Sequence, residues 1–308
     1  MRYNNAITNK YSFKEYKTMK NTIKKIITLT LALVMLLSLA SLASCNKKAN
    51  GVKVIDIALS EEEYAFCVSK TDTELLTKVN EYLAKIVSDG TFDAICDRYF
   101  GEGTPVKFDS AVEDPSKDQL VVATSTGFAP FEMVDSTGKF YGIDLEIAKG
   151  LGEYLGKEVV IKDMKFEAVV TSVETGICDI GMAGLTVTPA REKVVTFSNS
   201  YYNAFQVLIV KEDNTKFDNC KTADDVVAIL EAMTKKNKIG CQNGTTGEIY
   251  IDGDSDNPDG YGFKGLPAEK KGYDYGALAV TAMINGEIDC VIIDNAPAKA
   301  IAKSINGN

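Results

Sequence analysis

Apolar residues along this chain fall into two recurring patterns, short solid runs and one-faced stripes at helical spacing. Leu120–Thr124, Val159–Asp163, Gln206–Lys211, Lys238–Gln242 and Cys290–Ile293 are short apolar runs with polar or glycine boundaries, the pattern of buried strands. Val54–Ala58 is another such run, isolated behind a polar tether, and Glu61–Val68 leads into a further strand. The stripes read as helices. After the Thr71-Asp72 cap, Leu75, Leu76, Val79, Leu83, Ile86 and Val87 define one apolar face that ends at Asp89-Gly90. Helices are also predicted over Thr91–Phe100, Asp144–Leu155, Phe166–Thr175, Tyr275–Asn285 and Ala296–Ile305, and one starts at Thr246. A turn hairpin is expected around Ser136-Thr137-Gly138, and residues 101–118, with two prolines and many charges, read as a linker. Alternating strands and helices imply parallel sheets and an α/β fold, with enough chain for two cores.

One stretch repeats. Thr175-Gly176-Ile177-Cys178-Asp179 leads into an expected strand over Ile177–Met182, and Asn285-Gly286-Glu287-Ile288-Asp289 leads into Cys290–Ile293. Each copy runs helix, glycine, aspartate three places on, then strand. Eight residues past the glycine stand Gly184 in the first copy and Asp294 in the second. Thr188-Pro189 is a helix start, a hydroxyl cap followed by proline where a missing N–H costs nothing, and it places Arg191 in the first turn. Taken alone, Arg191 is most simply a surface arginine paired with Glu192 or Asp179. Two similar lobes, however, would set Arg191 and Asp294 at the carboxyl ends of equivalent strands, where open α/β sheets bind ligands. An arginine fork for a carboxylate and an aspartate for an ammonium suit a zwitterion.

The first residues set the compartment. From Met19, a basic start (Lys20, Lys24, Lys25), an apolar run Ile26–Ala43 and Leu42-Ala43-Ser44-Cys45 form an export signal with a bacterial lipobox, so Cys45 is the expected lipidated residue. An uncleaved membrane helix is the alternative, and residues 1–18 precede what reads as the true start. Cleavage before Cys45 leaves 27 basic against 42 acidic residues, a net charge of −15 in place of −9. So acidic a body excludes nucleic acid as a partner. With no histidine in the chain, Ser-His and Cys-His catalysis and ordinary zinc sites are excluded. Cys67, Cys96, Cys178, Cys220, Cys241 and Cys290 mostly stand singly in apolar segments, which favours free buried thiols over a disulfide framework.

The segments VVATSTGFAPFE, FYGIDLEIAKGLGEYLGK, MAGLTVTPAREKVVTFSNSYYNAFQVLIVK, GTTGEIY and CVIIDNAPAK together resemble the amino-acid solute-binding proteins of ABC importers (family 3, the two-lobed type II periplasmic-binding fold). The resemblance covers nearly all of residues 54–308. It implies Arg191 for the ligand's α-carboxylate and Asp294 for its α-ammonium. Gly184 and Thr186 would add backbone and hydroxyl bonds, and Thr246 an N–H at a helix start. Phe128 and Phe166 would stack on the side chain, and Gln242 would face it. Taken singly, these aromatics would be core and Gln242 a strand-end residue. Many family members carry an acid where Ser125 stands; a serine there argues for a polar, neutral amino acid. No cofactor is implied. The implied partners are the free amino acid, the permease subunits of an ABC importer and the membrane through a lipid anchor. The chain is expected to act outside the cytoplasm as a monomer.

One departure from the family is larger. Its usual C-terminal segment, matched here by Glu62-Tyr64-Ala65-Phe66 through Arg98-Tyr99-Phe100-Gly101, precedes Val121-Val122-Ala123-Thr124. This order indicates a circular permutation, with the old termini joined through residues 101–118. The expected organisation is a signal region 1–44, a tether 45–53, one lobe from 54–60 plus 209–308, and another from 61–208. Interlobe crossings fall near 58–61 and 208–212, and the lipid anchor would hold the Asp294 lobe. Asp252-Gly253-Asp254-Ser255-Asp256-Asn257 begins like a calcium loop. Asn257 and Phe263 occupy the positions that need glycine and glutamate, so no metal site is expected. Two other functions fit the fold: an enzyme resembling a prephenate or arogenate dehydratase, and an extracellular sensor domain.

Overall fold

The computed structural model describes residues 51–257 and 260–307. The export signal, Cys45 and most of the tether lie outside the described residues, and no described helix is long and apolar enough to cross a membrane. Among the described residues, fourteen strands in chain order build the frame: β1 (Val52–Ile55), β2 (Glu62–Tyr64), β3 (Cys67–Ser69), β4 (Leu120–Thr124), β5 (Met133–Val134), β6 (Phe140–Tyr141), β7 (Val159–Asp163), β8 (Ile180–Gly181), β9 (Val195–Phe197), β10 (Tyr202–Ala204), β11 (Gln206–Lys211), β12 (Lys238–Gln242), β13 (Glu269–Tyr273) and β14 (Cys290–Asp294).

Two five-stranded sheets result, one per lobe, in the orders β7-β4-β8-β3-β9 and β1-β11-β14-β12-β13. In the first sheet, β4 runs parallel to β7 and β8. In the second, β12 runs parallel to β13 and β14, while β11 is antiparallel to both β1 and β14. Helices cover the sheets: α1 (Thr73–Ser88), α2 (Thr91–Phe100), α3 (Ile143–Leu155) and α4 (Phe166–Glu174) on the first, α6 (Ala223–Glu231), α7 (Thr246–Asp252), α8 (Gly276–Asn285) and α9 (Asn295–Asn306) on the second. A single turn, α5 (Pro189–Glu192), separates β8 from β9. The first core centres on Phe66, Phe131, Leu145, Ile147 and Ile180, the second on Val207, Ile209, Val280, Val291 and Ile292, all essentially inaccessible.

Local chemistry explains the boundaries. Asp72 caps α1 by accepting the Leu75 amide at 2.9 Å, and Thr188 caps α5 by accepting the Arg191 amide at 3.1 Å, with Pro189 at the first helical position. The repeated aspartate has the same task in both copies. The Asp179 carboxylate accepts the Val121 amide at 2.7 Å and the Asp289 carboxylate accepts the Lys238 amide at 2.8 Å. Each ties the start of one parallel strand to the entry of its neighbour. The strand expected over Ile177–Met182 is shorter. Ile177 is exposed and its amide donates back to Ser172 O, so only the part from Asp179 onward runs beside β4.

Two boundaries move. β1 starts at Val52, two residues before the expected strand, inside the expected tether. β11 lies wholly in the second sheet, which moves the second crossing back from 208–212 to just before Gln206. The crossings form a ribbon in which β2 pairs antiparallel with β10, Tyr64 opposite Tyr202 and Glu62 opposite Ala204. Residues 101–118 are pinned rather than loose: Phe108 bridges Phe140, and the Ala111 amide donates to Val159 O at 2.9 Å.

Candidate functional site

The carboxyl ends of β4, β8, β12 and β14 meet along the seam between the lobes, and the crossing ribbon closes its back. Asp294 ends β14, buried, and accepts a hydrogen bond from the Tyr64 hydroxyl at 2.6 Å across the seam. Burial raises its pKa well above the usual carboxylate range, and the neighbouring charge of Glu62 pushes in the same direction. Arg191 also spans the seam. Its Nη1 donates to Thr186 O at 2.6 Å in its own lobe and its Nη2 to Gly244 O at 3.0 Å in the other, while its guanidinium lies 5.2 Å from the centre of the Phe166 ring. Neither Glu192 nor Asp179 receives a hydrogen bond from it. Burial draws the Arg191 pKa down, opposed by Tyr261, Cys67, Glu62 and Asp294.

The remaining expected residues gather on the same seam, although several are engaged within the protein. Gly184 sits at φ +54°, and a Cβ there would stand 2.9 Å from the Phe128 ring, so glycine is needed for both backbone and packing. Its N–H donates to Asp144 Oδ2 at 2.8 Å. Asp144 also accepts the Tyr201 hydroxyl, and burial lifts its carboxyl pKa to about 7. Gln242 is buried and its amide oxygen accepts the Gly276 N–H at 3.2 Å, which steadies the start of α8. Ser125 and its neighbour Thr124, both essentially inaccessible, hold hydroxyls without a hydrogen-bond partner. Phe128 and Phe166 are also buried.

Thr186 and Thr246 come from different lobes, yet both hydroxyls donate to one atom, Glu62 Oε2, at 2.8 and 2.6 Å. The other carboxylate oxygen, Oε1, accepts from Ser60 Oγ at 2.7 Å and Gln206 Nε2 at 3.0 Å. Sequence reasoning passed over Glu62, although the period of two in Glu62-Glu63-Tyr64 was a usable signal, since it buries Glu62 and Tyr64 on one face and exposes Glu63. Tyr261, also passed over, donates its hydroxyl to Val187 O at 3.0 Å across the seam, and Lys165 pairs with Asp274 at 3.0 Å. A groove of about 710 Å³ runs along the crossing ribbon past Ser60, Glu62, Val187, Phe205 and Tyr261. In the acidic loop, both Asp254 carboxylate oxygens accept amides, from Tyr261 and from Phe263. Among the described residues six cysteines are free, and Cys67, Cys178, Cys241 and Cys290 are buried.

Raised carboxyl pKa values carry a sign. A group held protonated in the fold binds more protons there than in the unfolded chain. Stability therefore falls as pH rises from the ordinary carboxylate value, 3.8, toward the raised one, about 7 for Asp144. An ammonium placed against Asp294 favours its ionised form. Ligand binding at about pH 6 is thus expected to release protons, and Asp294→Asn to abolish most of the release. Calorimetry in buffers of different ionisation enthalpy reads the number directly; equal release in the variant would remove Asp294 from the linkage.

The profile of the bacterial extracellular solute-binding proteins, family 3, matches residues 120–250. The arginine-binding extracellular protein ArtP of Bacillus subtilis (strain 168) is 34% identical over 101 residues, 33% of this chain and 39% of its own length. Among solved structures, holo ArgBP from T. maritima is 32% identical, covering 62% of this chain and 75% of that one, with a TM-score of 0.51. The ancestral amino acid-binding protein AncCDT-1, described as a precursor of cyclohexadienyl dehydratase, is 30% identical, covering 60% and 74%, with a TM-score of 0.51. The fold is that of a type II periplasmic-binding protein for amino acids. The chain belongs to the family 3 bacterial extracellular solute-binding proteins. It spans between 39% and 64% of the length of the first curated relatives it matches.

Proposed function

We propose that this chain is an extracytoplasmic, lipid-anchored binding protein that closes its two lobes on a free amino acid and delivers it to an ABC importer, acting as a monomer. The observation that carries the reading is a cation and an anion on opposite lobes of one seam. Arg191 reaches across to Gly244 O, and Asp294 takes the Tyr64 hydroxyl from the other side. In this reading Arg191, Thr186 and Thr246 receive the α-carboxylate and Asp294 the α-ammonium, while Phe128 and Phe166 border the side chain. The ligand is polar and neutral in this reading, which rests on the unpartnered Ser125 and Thr124 hydroxyls, groups that offer hydrogen bonds and carry no charge of their own. ArtP and ArgBP, named for arginine, set the competing expectation.

A thermal-shift screen of the twenty amino acids, with prephenate and arogenate added, tests the reading. A ligand at a hundred times its Kd adds roughly 2.7 kcal/mol, or roughly 5–10 °C for a body of this size. Glutamine or another neutral polar amino acid should give the largest shift. A larger shift with arginine would overturn the neutral ligand alone. Turnover of prephenate or arogenate, with no amino-acid shift, would replace the reading with the enzyme.

We also infer that the family's chain order is circularly permuted here. Two observations support this. β1, at the start of the described residues, completes the sheet otherwise built from residues 206–294. The family profile begins matching only at residue 120, after the segment expected at the carboxyl end. Shuffling the order back, so that residues 120–308 precede 52–100, should return a protein that melts cooperatively and binds the same ligand; failure to fold with native secondary structure would count against it.

A further inference from the structure

Glu62 lies on β2, whose backbone is fixed on both sides. It pairs with β10 on one side, and on the other the Val187 amide donates to Glu63 O at 2.9 Å and the Ala65 amide to Leu185 O at 3.0 Å. From this fixed strand a single carboxylate reaches into the seam and collects Thr186 from one lobe, Thr246 from the other and Gln206 from the strand just past the crossing. All of these residues are buried, Glu62 at 4% exposure. A threonine hydroxyl carries one hydrogen and donates one bond at a time. The hydroxyls that bond Glu62 therefore cannot also bond an incoming carboxylate. Arg191, a cation of the site, places its guanidinium on the Thr186 carbonyl beside this cluster.

We propose that Glu62 is a tethered stand-in for the ligand's carboxylate: it latches the two lobes together when no solute is bound, and the solute must displace it. Being attached, it competes at a high and constant effective concentration. Glu62 thus sets both the resting population of latched protein and the apparent affinity, which is reduced by the fraction of molecules already latched. The latch stands on the hydrogen bonds alone, whereas the competition rests on the amino-acid reading above.

The test compares the mature chain with Glu62→Ala and with the near-isosteric Glu62→Gln, which protects against a folding failure of the smaller residue. Small-angle scattering without added amino acid should give a larger radius of gyration for Glu62→Ala than for the unaltered chain, with Glu62→Gln between them. Calorimetric titration with the amino acid that gives the largest thermal shift should show binding about tenfold tighter or more in Glu62→Ala. Equal radii for all three proteins would overturn the latch, and unchanged or weaker binding in both variants would overturn the competition. If no amino acid binds any of the three, the amino-acid reading and the competition fall together, while the radii still decide the latch.

Discussion

Arg191→Ala is expected to weaken amino-acid binding by about 2–5 kcal/mol, roughly 30- to several-thousand-fold. The substitution removes the guanidinium that bonds Thr186 O and Gly244 O, and it leaves the ligand carboxylate facing a seam already rich in acid. Asp294 and Glu62 both stand there, and burial with Glu62's charge already raises the Asp294 pKa. With the Arg191 cation gone, a further anion is repelled as well as unpaired. Asp294→Ala should cost a similar amount from the ammonium side. Arg98→Ala is the control, since Arg98 is spent on Glu146 within the first lobe. Equilibrium dialysis with the radiolabelled amino acid reads all three, and unchanged binding in Arg191→Ala would remove the arginine from the site.

The second large effect is on stability. Deleting residues 50–57 takes β1 from the edge of the second sheet and uncovers β11, whose Val207–Val210 are fully buried. It removes Val52, 1% exposed, the half-buried Val54 and Ile55, and the pair of bonds between the Val52 backbone and the Asn306 side chain at 3.1 and 2.8 Å. With the half-buried Ile57, which the deletion also takes, one fully buried and three partly buried aliphatic side chains stabilise by about 4–7 kcal/mol, which for a body of this size lowers Tm by at least roughly 8 °C. Removing residues 102–106, which lie before the Phe108 and Ala111 attachments, should change Tm by little. Thermal melts of both deletions followed by circular dichroism make the comparison. Equal melting points would mean that β1 is not part of the second sheet's stability.

Much of this arrangement could be read from the chain because local chemistry and tertiary demand agree. Thr188-Pro189 caps its turn as written, and the two aspartates after the repeated glycines hold matching strand entries. Other elements were hidden. β13, Glu269–Tyr273, contains two lysines and a glycine; as an edge strand it takes its hydrogen bonds from β12 and needs no apolar run. α6 was missed even though its start was written in the chain, a capping box between Thr222 and Asp225. Glu62 was hidden by composition. In a run of three glutamates the middle one looks like surface, although the period of two already sets it on one face with Tyr64. The Gly184 N–H donates to Asp144 and the Gln242 amide oxygen accepts the Gly276 N–H, and no sequence pattern announces those partners.

The zwitterion clamp is tested most directly by titrating the mature chain in a calorimeter with its best amino acid, then with that amino acid's carboxamide and its N-acetyl derivative. The free amino acid should bind one to one. Each derivative, having lost one of the two charges matched to Arg191 and Asp294, should bind at least about thirtyfold more weakly. Equal affinity for the carboxamide and the free amino acid would contradict the account.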